Sequence, residues 1–155
     1  MHRRAFIAGL GGAAAWPLVA HTTGTRPRVA LLTLQGSQDV AHRVASFVDG
    51  LRELDYIDKQ IVEIDFRYSG GDTKPLKSLA QELIALQPDV AFGGEPSAVR
   101  AFKAVAPNVP TVCPTITDVL LRELGASYAR PAGNVTGIAA SVEGVTDKLL
   151  ELATE

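Results

Sequence analysis

The sequence predicts an open, mostly parallel, doubly wound α/β sheet with helices on both faces. Three observations carry that expectation. Arg28 to Leu34 (RVALLTL) is a continuous apolar run of the kind buried on both sides in parallel sheets. Strand-like runs then alternate with segments whose apolar residues recur at helical spacing, the order that gives βαβ units. Each strand-like run ends in small, polar or glycine-rich residues suited to βα loops.

The elements follow in order. After the first strand, Gln35 to Asp39 breaks the run, and Val40, Val44, Phe47, Val48, Leu51 and Leu54 predict a helix with one wide apolar face. Ile61 to Tyr68 alternates apolar with charged residues and reads as a second strand nearer the sheet edge. Ser69-Gly70-Gly71-Asp72 is a turn, with Asp72 or Thr73 expected to cap a helix whose buried stripe is Leu76, Leu79, Leu83 and Leu86. Asp89 to Phe92 is a short third strand, and Pro96 suits the first turn of a helix through Val99, Phe102 and Val105. Pro110 to Cys113 is the fourth strand, Pro114 to Thr117 its exit loop, and Asp118 to Leu124 a short helix. Asn134 to Ala139 is the fifth strand, and Val142, Val145, Leu149 and Leu152 begin a final helix.

Residues 1–20 read as an export signal of the twin-arginine type, with Arg3-Arg4, a weakly apolar run from Ala8 to Ala15, and a small residue at Ala20. That run is too short and glycine-rich for the roughly 20 residues a spanning helix needs. No cysteine follows it, which argues against a lipid-anchored form. Residues 21–27 read as a linker, and residues 28–155 as one α/β unit of an exported, periplasmic protein.

Composition narrows the function classes. Setting Arg3 and Arg4 aside with the signal leaves 13 basic against 17 acidic residues, a net charge of −4. That mild acidity gives no footprint for nucleic acid or an anionic membrane. The single cysteine, Cys113, has no intramolecular partner and reads as a small buried hydrophobe. No His/Cys cluster points to a metal.

Enzymatic readings of this fold need particular residues at the strand ends, and each fails. Leu34 to Asp39 supplies one glycine where dinucleotide binding wants three. No phosphate-cradling G-x-x-x-x-G-K-[ST] occurs. Gly93-Gly94-Glu95-Pro96-Ser97 misses the spacing of a serine nucleophile elbow. Glu95 is the nearest match to a receiver's acidic residue, without acidic partners on the first strand. No catalytic set emerges, and no cofactor is implied. Instead Gly36, Ser37, Ser69, Gly70, Gly93, Gly94, Ser97, Thr115 and Thr117 stand at strand ends, where hydroxyls and helix N-termini can hold a small ligand. Taken singly, each is equally an ordinary turn or cap residue.

Several segments together carry a resemblance. They are Phe47-x-x-Gly50-Leu51-x-x-Leu54-x-Tyr56, Ile64-x-Phe66-Arg67-Tyr68, Leu76-x-x-Leu79-Ala80-x-Glu82-Leu83, Asp89-Val90, Gly94-x-Pro96-x-Ala98 and, most specifically, Arg130-Pro131-x-Gly133-Asn134-Val135-Thr136-Gly137. In this order they resemble substrate-binding proteins of ABC importers with the type I periplasmic-binding fold, in the tryptophan- or tyrosine-type subfamily. The resemblance implies a two-lobed receptor that closes on a small solute, an amino acid or related carboxylate, and presents the closed form to a membrane permease. It also implies that this chain is the amino-terminal lobe alone, with the second lobe absent. The surface this leaves bare is a place for self-association. The ligand wall is expected from Ser37, Gly94, Glu95, Ser97, Thr115 and Thr117, with Ser97 and Thr117 donating hydroxyl hydrogen bonds. Glu95 departs from the small hydroxyl residue of relatives. Facing a ligand, it would favour a cationic group over a carboxylate; facing away, it would stabilise the helix that follows. A sensor or partner-binding α/β domain is the alternative reading. Asn134-Val135-Thr136 also matches a glycosylation sequon, which carries little weight in a bacterial protein.

Overall fold

The computed structural model describes residues 26–124, 127, 133–139 and 151–152. Five parallel strands, β1 (Arg28–Thr33), β2 (Glu63–Tyr68), β3 (Val90–Gly93), β4 (Thr111–Ile116) and β5 (Val135–Ala139), lie in the order β2-β1-β3-β4-β5. Between them run α1 (Ser37–Glu53), α2 (Leu76–Ala85), α3 (Pro96–Val105) and α4 (Asp118–Glu123). The export signal, most of the linker and nearly all of the expected final helix lie outside the described residues; Glu151 and Leu152 are helical.

The strand order determines where the helices go. From β1 the chain steps one way to β2, then reverses and steps the other way through β3, β4 and β5. Right-handed crossovers therefore put α1 on one face and α2, α3 and α4 on the other. On the three-helix face, Ala30, Leu32 and Ala91 of the sheet meet Leu76, Ala80 and Leu83 of α2 and Ala98, Ala101 and Phe102 of α3. Small residues on the strands and on one side of each helix allow this close approach. A second cluster of Val99, Cys113, Ile116, Leu120, Leu121 and Val135 continues it toward β5.

On the other face Leu31 and Phe92 lie side by side in the β1-β3 register, and Phe47 of α1 packs on Phe92 with ring centroids 4.8 Å apart. Val40 is the one buried residue of α1, and Leu54 is exposed. The wide apolar face expected of this helix is thus only partly covered. One helix, about 10 Å across, spans roughly two of five strands spaced about 4.8 Å apart. Beyond it, on β5, Ile138 is 70 % exposed.

Local details depart from the sequence expectation in four places. Asp72 does not cap α2: its side chain accepts from Lys74 N–H in a turn ahead of the helix, and Pro75 occupies the cap position. The buried stripe of α2 uses Ala80 in place of Leu86, which is partly exposed at the helix end. Ile61 lies before β2 and is exposed. Strand β4 runs on through Pro114 to Ile116 instead of ending at Cys113. A register irregularity between Cys113 and Ile116 admits the proline, which has no N–H for a ladder. Gly137 sits opposite this irregularity, and a Cβ there would lie 1.8 Å from the Cys113 carbonyl oxygen, so no larger residue fits between these strands.

The Arg-Pro-x-Gly-Asn motif gains a structural account at its described end. Gly133 has φ +61°, the left-handed conformation glycine accepts without strain. Asn134 Oδ1 accepts from Lys103 Nζ at 2.7 Å, and its amide donates to the Val109 carbonyl. Its side chain therefore ties β5 to α3 and the approach to β4, and the amide is committed internally.

Candidate functional site

In an open α/β sheet the crevice for a ligand opens outside the carboxyl ends of the strands where the strand order reverses, here between β1 and β3. The two strand ends are joined by one side chain. Glu95, two residues past the end of β3, accepts from Leu34 N–H through Oε1 at 2.6 Å and from the Thr33 hydroxyl through Oε2 at 3.0 Å. Thr33 is 4 % exposed, so the bond to it is sheltered from water. The same hydroxyl oxygen accepts from Gln35 N–H. Leu34 in turn accepts at its carbonyl from Ser69 Oγ and Gly71 N–H, which brings the end of β2 into the assembly. Three strand ends thus form one hydrogen-bonded rim.

Beneath this rim lies a cavity of about 640 Å³ between α1 and the sheet, within the range of sites for small organic molecules. Its walls are chiefly apolar, with Leu31, Phe92 and Pro114 from the sheet side and Val40, Val44 and Phe47 from α1. Thr33, Gly94, Glu95 and Thr115 supply polar atoms at the strand ends, and Arg43 lines the α1 side. Arg43 is hydrogen-bonded to the side chain of Gln35.

Of the six residues expected to make the ligand wall, Gly94, Glu95 and Thr115 line this cavity, while Ser37, Ser97 and Thr117 do not. Ser37 is exposed on the first turn of α1. Thr117 is the N-cap of α4 and accepts from Leu120 N–H through its hydroxyl oxygen, a capping role. Ser97 lies in the first turn of α3 and its hydroxyl oxygen is buried without a hydrogen-bond partner. The Gly94 N–H donates to the Leu32 carbonyl, within the sheet. Glu95 holds the N-cap position of α3 but makes no side-chain cap hydrogen bond there. Its carboxylate is turned to β1 instead.

The sequence reading missed Thr33, Phe47 and Phe92 as wall residues because all three look like ordinary core positions. The signal that could have found them is their spacing relative to the strand ends, once the reversal at β1 and β3 is known.

Cys113 is fully buried on the three-helix face, as expected, and burial pushes its thiol pKa up, with the nearby Glu95 charge acting in the same direction. That is the opposite of an activated nucleophile. Among the described residues no group of His, Cys, Asp and Glu could hold a metal ion, and no helix is long and apolar enough to cross a membrane.

Residues 28–155 match the model of a protein family described as ABC transporter substrate binding protein. The chain belongs to this family. A tyrosine-binding protein of Clostridioides difficile is 29 % identical over 107 residues, covering 68 % of this chain and 30 % of the relative. Among solved structures, an ABC domain in complex with L-Trp from Streptococcus pneumonia is 28 % identical, with a TM-score of 0.63, covering 74 % of this chain and 39 % of that one. The ligand-free, open structure of a Clostridium difficile substrate-binding protein with adhesive properties is 21 % identical, with a TM-score of 0.69, covering 83 % of this chain and 43 % of that one. That last likeness shows the fold. The chain spans less than half the length of each of these relatives.

Proposed function

We propose that this member of the substrate-binding family is the solute-binding component of an ABC importer, a non-enzymatic receptor that holds a small molecule, an amino acid or related carboxylate, outside the cytoplasm and delivers it to a membrane permease. The observation that carries this reading is the cavity at the reversal of strand order, apolar in its walls and polar at the strand ends. The described residues would form one wall of a cleft that a second lobe closes, as hinged receptors do. Residues 1–20 would serve as the export signal and residues 28–155 as the ligand-binding lobe of a periplasmic protein. The names of two relatives, one tyrosine-binding and one solved with L-Trp, support an amino acid as the ligand class.

A thermal-shift series with the twenty amino acids and small carboxylates tests this. A ligand that binds only the folded state raises the melting temperature with concentration by mass action. At least one amino acid is expected to do so, more strongly in a form extended through a second lobe. A folded protein that responds to none of them in either form would overturn the reading.

A further inference from the structure

We propose that Glu95 sets the polarity of the site: it receives the ammonium group of a ligand whose apolar body fills the cavity, and it disfavours ligands whose only charge is a carboxylate. This rests on the reading of the cavity as the solute site.

Four observations support it. Glu95 is the single carboxylate among the described residues that line the cavity. Both of its oxygens are held by β1, through Leu34 N–H and the Thr33 hydroxyl, so the group is fixed at the strand ends and not free to swing into solvent. A carboxylate accepts about four hydrogen bonds, and these two donors leave acceptor capacity on each oxygen. No ion pair among the described residues involves Glu95; Arg43, the cation in the lining, makes no ion pair with it and is hydrogen-bonded to the neutral side chain of Gln35, which leaves the Arg43 charge for a ligand carboxylate that accompanies the ammonium group. A fixed negative charge beside apolar walls, without a cationic partner from the protein, is satisfied best by a cation brought in by the ligand. The Leu34 N–H, the donor a ligand carboxylate would seek at this point, is already filled by Glu95 itself.

The remaining lining sorts the rest of the ligand. Phe47 and Phe92, tilted at 44° to each other, offer faces and edges to a flat apolar group. The ligand class is therefore an amine or amino acid with an aromatic or bulky aliphatic body.

Three probes of matched shape test this on the full chain by ligand-observed NMR, which detects weak binding: tryptamine, L-tryptophan and indole-3-propionate. Tryptamine and tryptophan should bind, with indole-3-propionate weaker by about tenfold or more, the scale of one charge-assisted hydrogen bond. In Glu95→Gln the tryptamine advantage should disappear. Indole-3-propionate binding as tightly as tryptamine would overturn the assignment to Glu95 while leaving the cavity as a solute site. Tryptamine binding unchanged in a folded Glu95→Gln protein would do the same. No binding of any probe to the folded wild-type chain would overturn the underlying reading of the cavity together with the proposal. If the variant fails to fold, the wild-type ranking of the three probes still decides the matter.

Discussion

The two faces of the sheet are built to different standards. On one, α2, α3 and α4 close over the strands, and Leu32, Leu83, Val99, Phe102, Cys113 and Leu120 are sealed completely. On the other, α1 is the only covering helix among the described residues, contributes one buried residue, and leaves a cavity beneath it and Ile138 open beside it. The same strands serve both, so the difference lies in the number of covering helices. Small residues at Ala30, Ala80, Ala91, Ala98 and Ala101 let helices settle onto one face. The other face presents Leu31 and Phe92 to a helix that touches them chiefly through Phe47. The closed face stores the stability, and the open face keeps the space of the proposed ligand site.

This contrast is open to direct test. Phe102→Ala, on the closed face, should cost about 3–5 kcal/mol because its cavity cannot collapse between two helices and the sheet; denaturant unfolding measures it. Gly137→Ala, which forces a methyl group into the Cys113 carbonyl, should cost about 3 kcal/mol, at the upper end of overpacking, and loosen β5 from β4 in hydrogen exchange. Phe47→Ala, on the open face, should cost less, about 1–2 kcal/mol, because the ring is only partly buried and borders the cavity. Amides of α1 should likewise exchange faster than those of α2 and α3. A Phe47→Ala penalty equal to that of Phe102→Ala would mean that the two faces are equally packed and that the cavity is not available space.

The smallest effect belongs to the exposed ion pair of Arg100 and Glu123, which meet at 2.5 Å across α3 and α4. The hydrogen bond from Arg100 holds the Glu123 carboxyl below its ordinary range. A carboxyl whose folded pKa is depressed adds stability above its unfolded pKa and loses it as pH falls through the folded value. Arg100→Ala should therefore slightly flatten acid unfolding below the ordinary glutamate range, and the difference should vanish in high salt.

Much of the architecture was legible in local pattern. RVALLTL reads as a strand buried on both sides, and Val99, Phe102 and Val105 as one face of a helix, and both elements form as read. Pro96 at the first helical position and the burial of Cys113 follow from one-residue chemistry. The end of β4 was not legible, because Pro114 normally stops a strand and is tolerated here only through the irregularity opposite Gly137. Thr117 shows the same limit at the candidate site. A hydroxyl at a strand end serves a ligand or a helix cap equally well on paper, and only the placement of Leu120 N–H assigns it to the cap.

The sequence by itself determined the alternation of strands and helices, the buried apolar runs and the small polar residues that close each strand, since these depend on periods of 2 and 3.6 residues within a few turns of chain. Only the tertiary structure decided that β1 lies between β2 and β3, that α1 covers the face opposite α2, α3 and α4, and that Glu95 turns away from its own helix to Thr33, 62 residues earlier in the chain. The reason is that periodicity specifies which side of an element is apolar, whereas the partner of a polar side chain depends on which strands become neighbours. That choice is made by crossover handedness and by packing over the whole sheet.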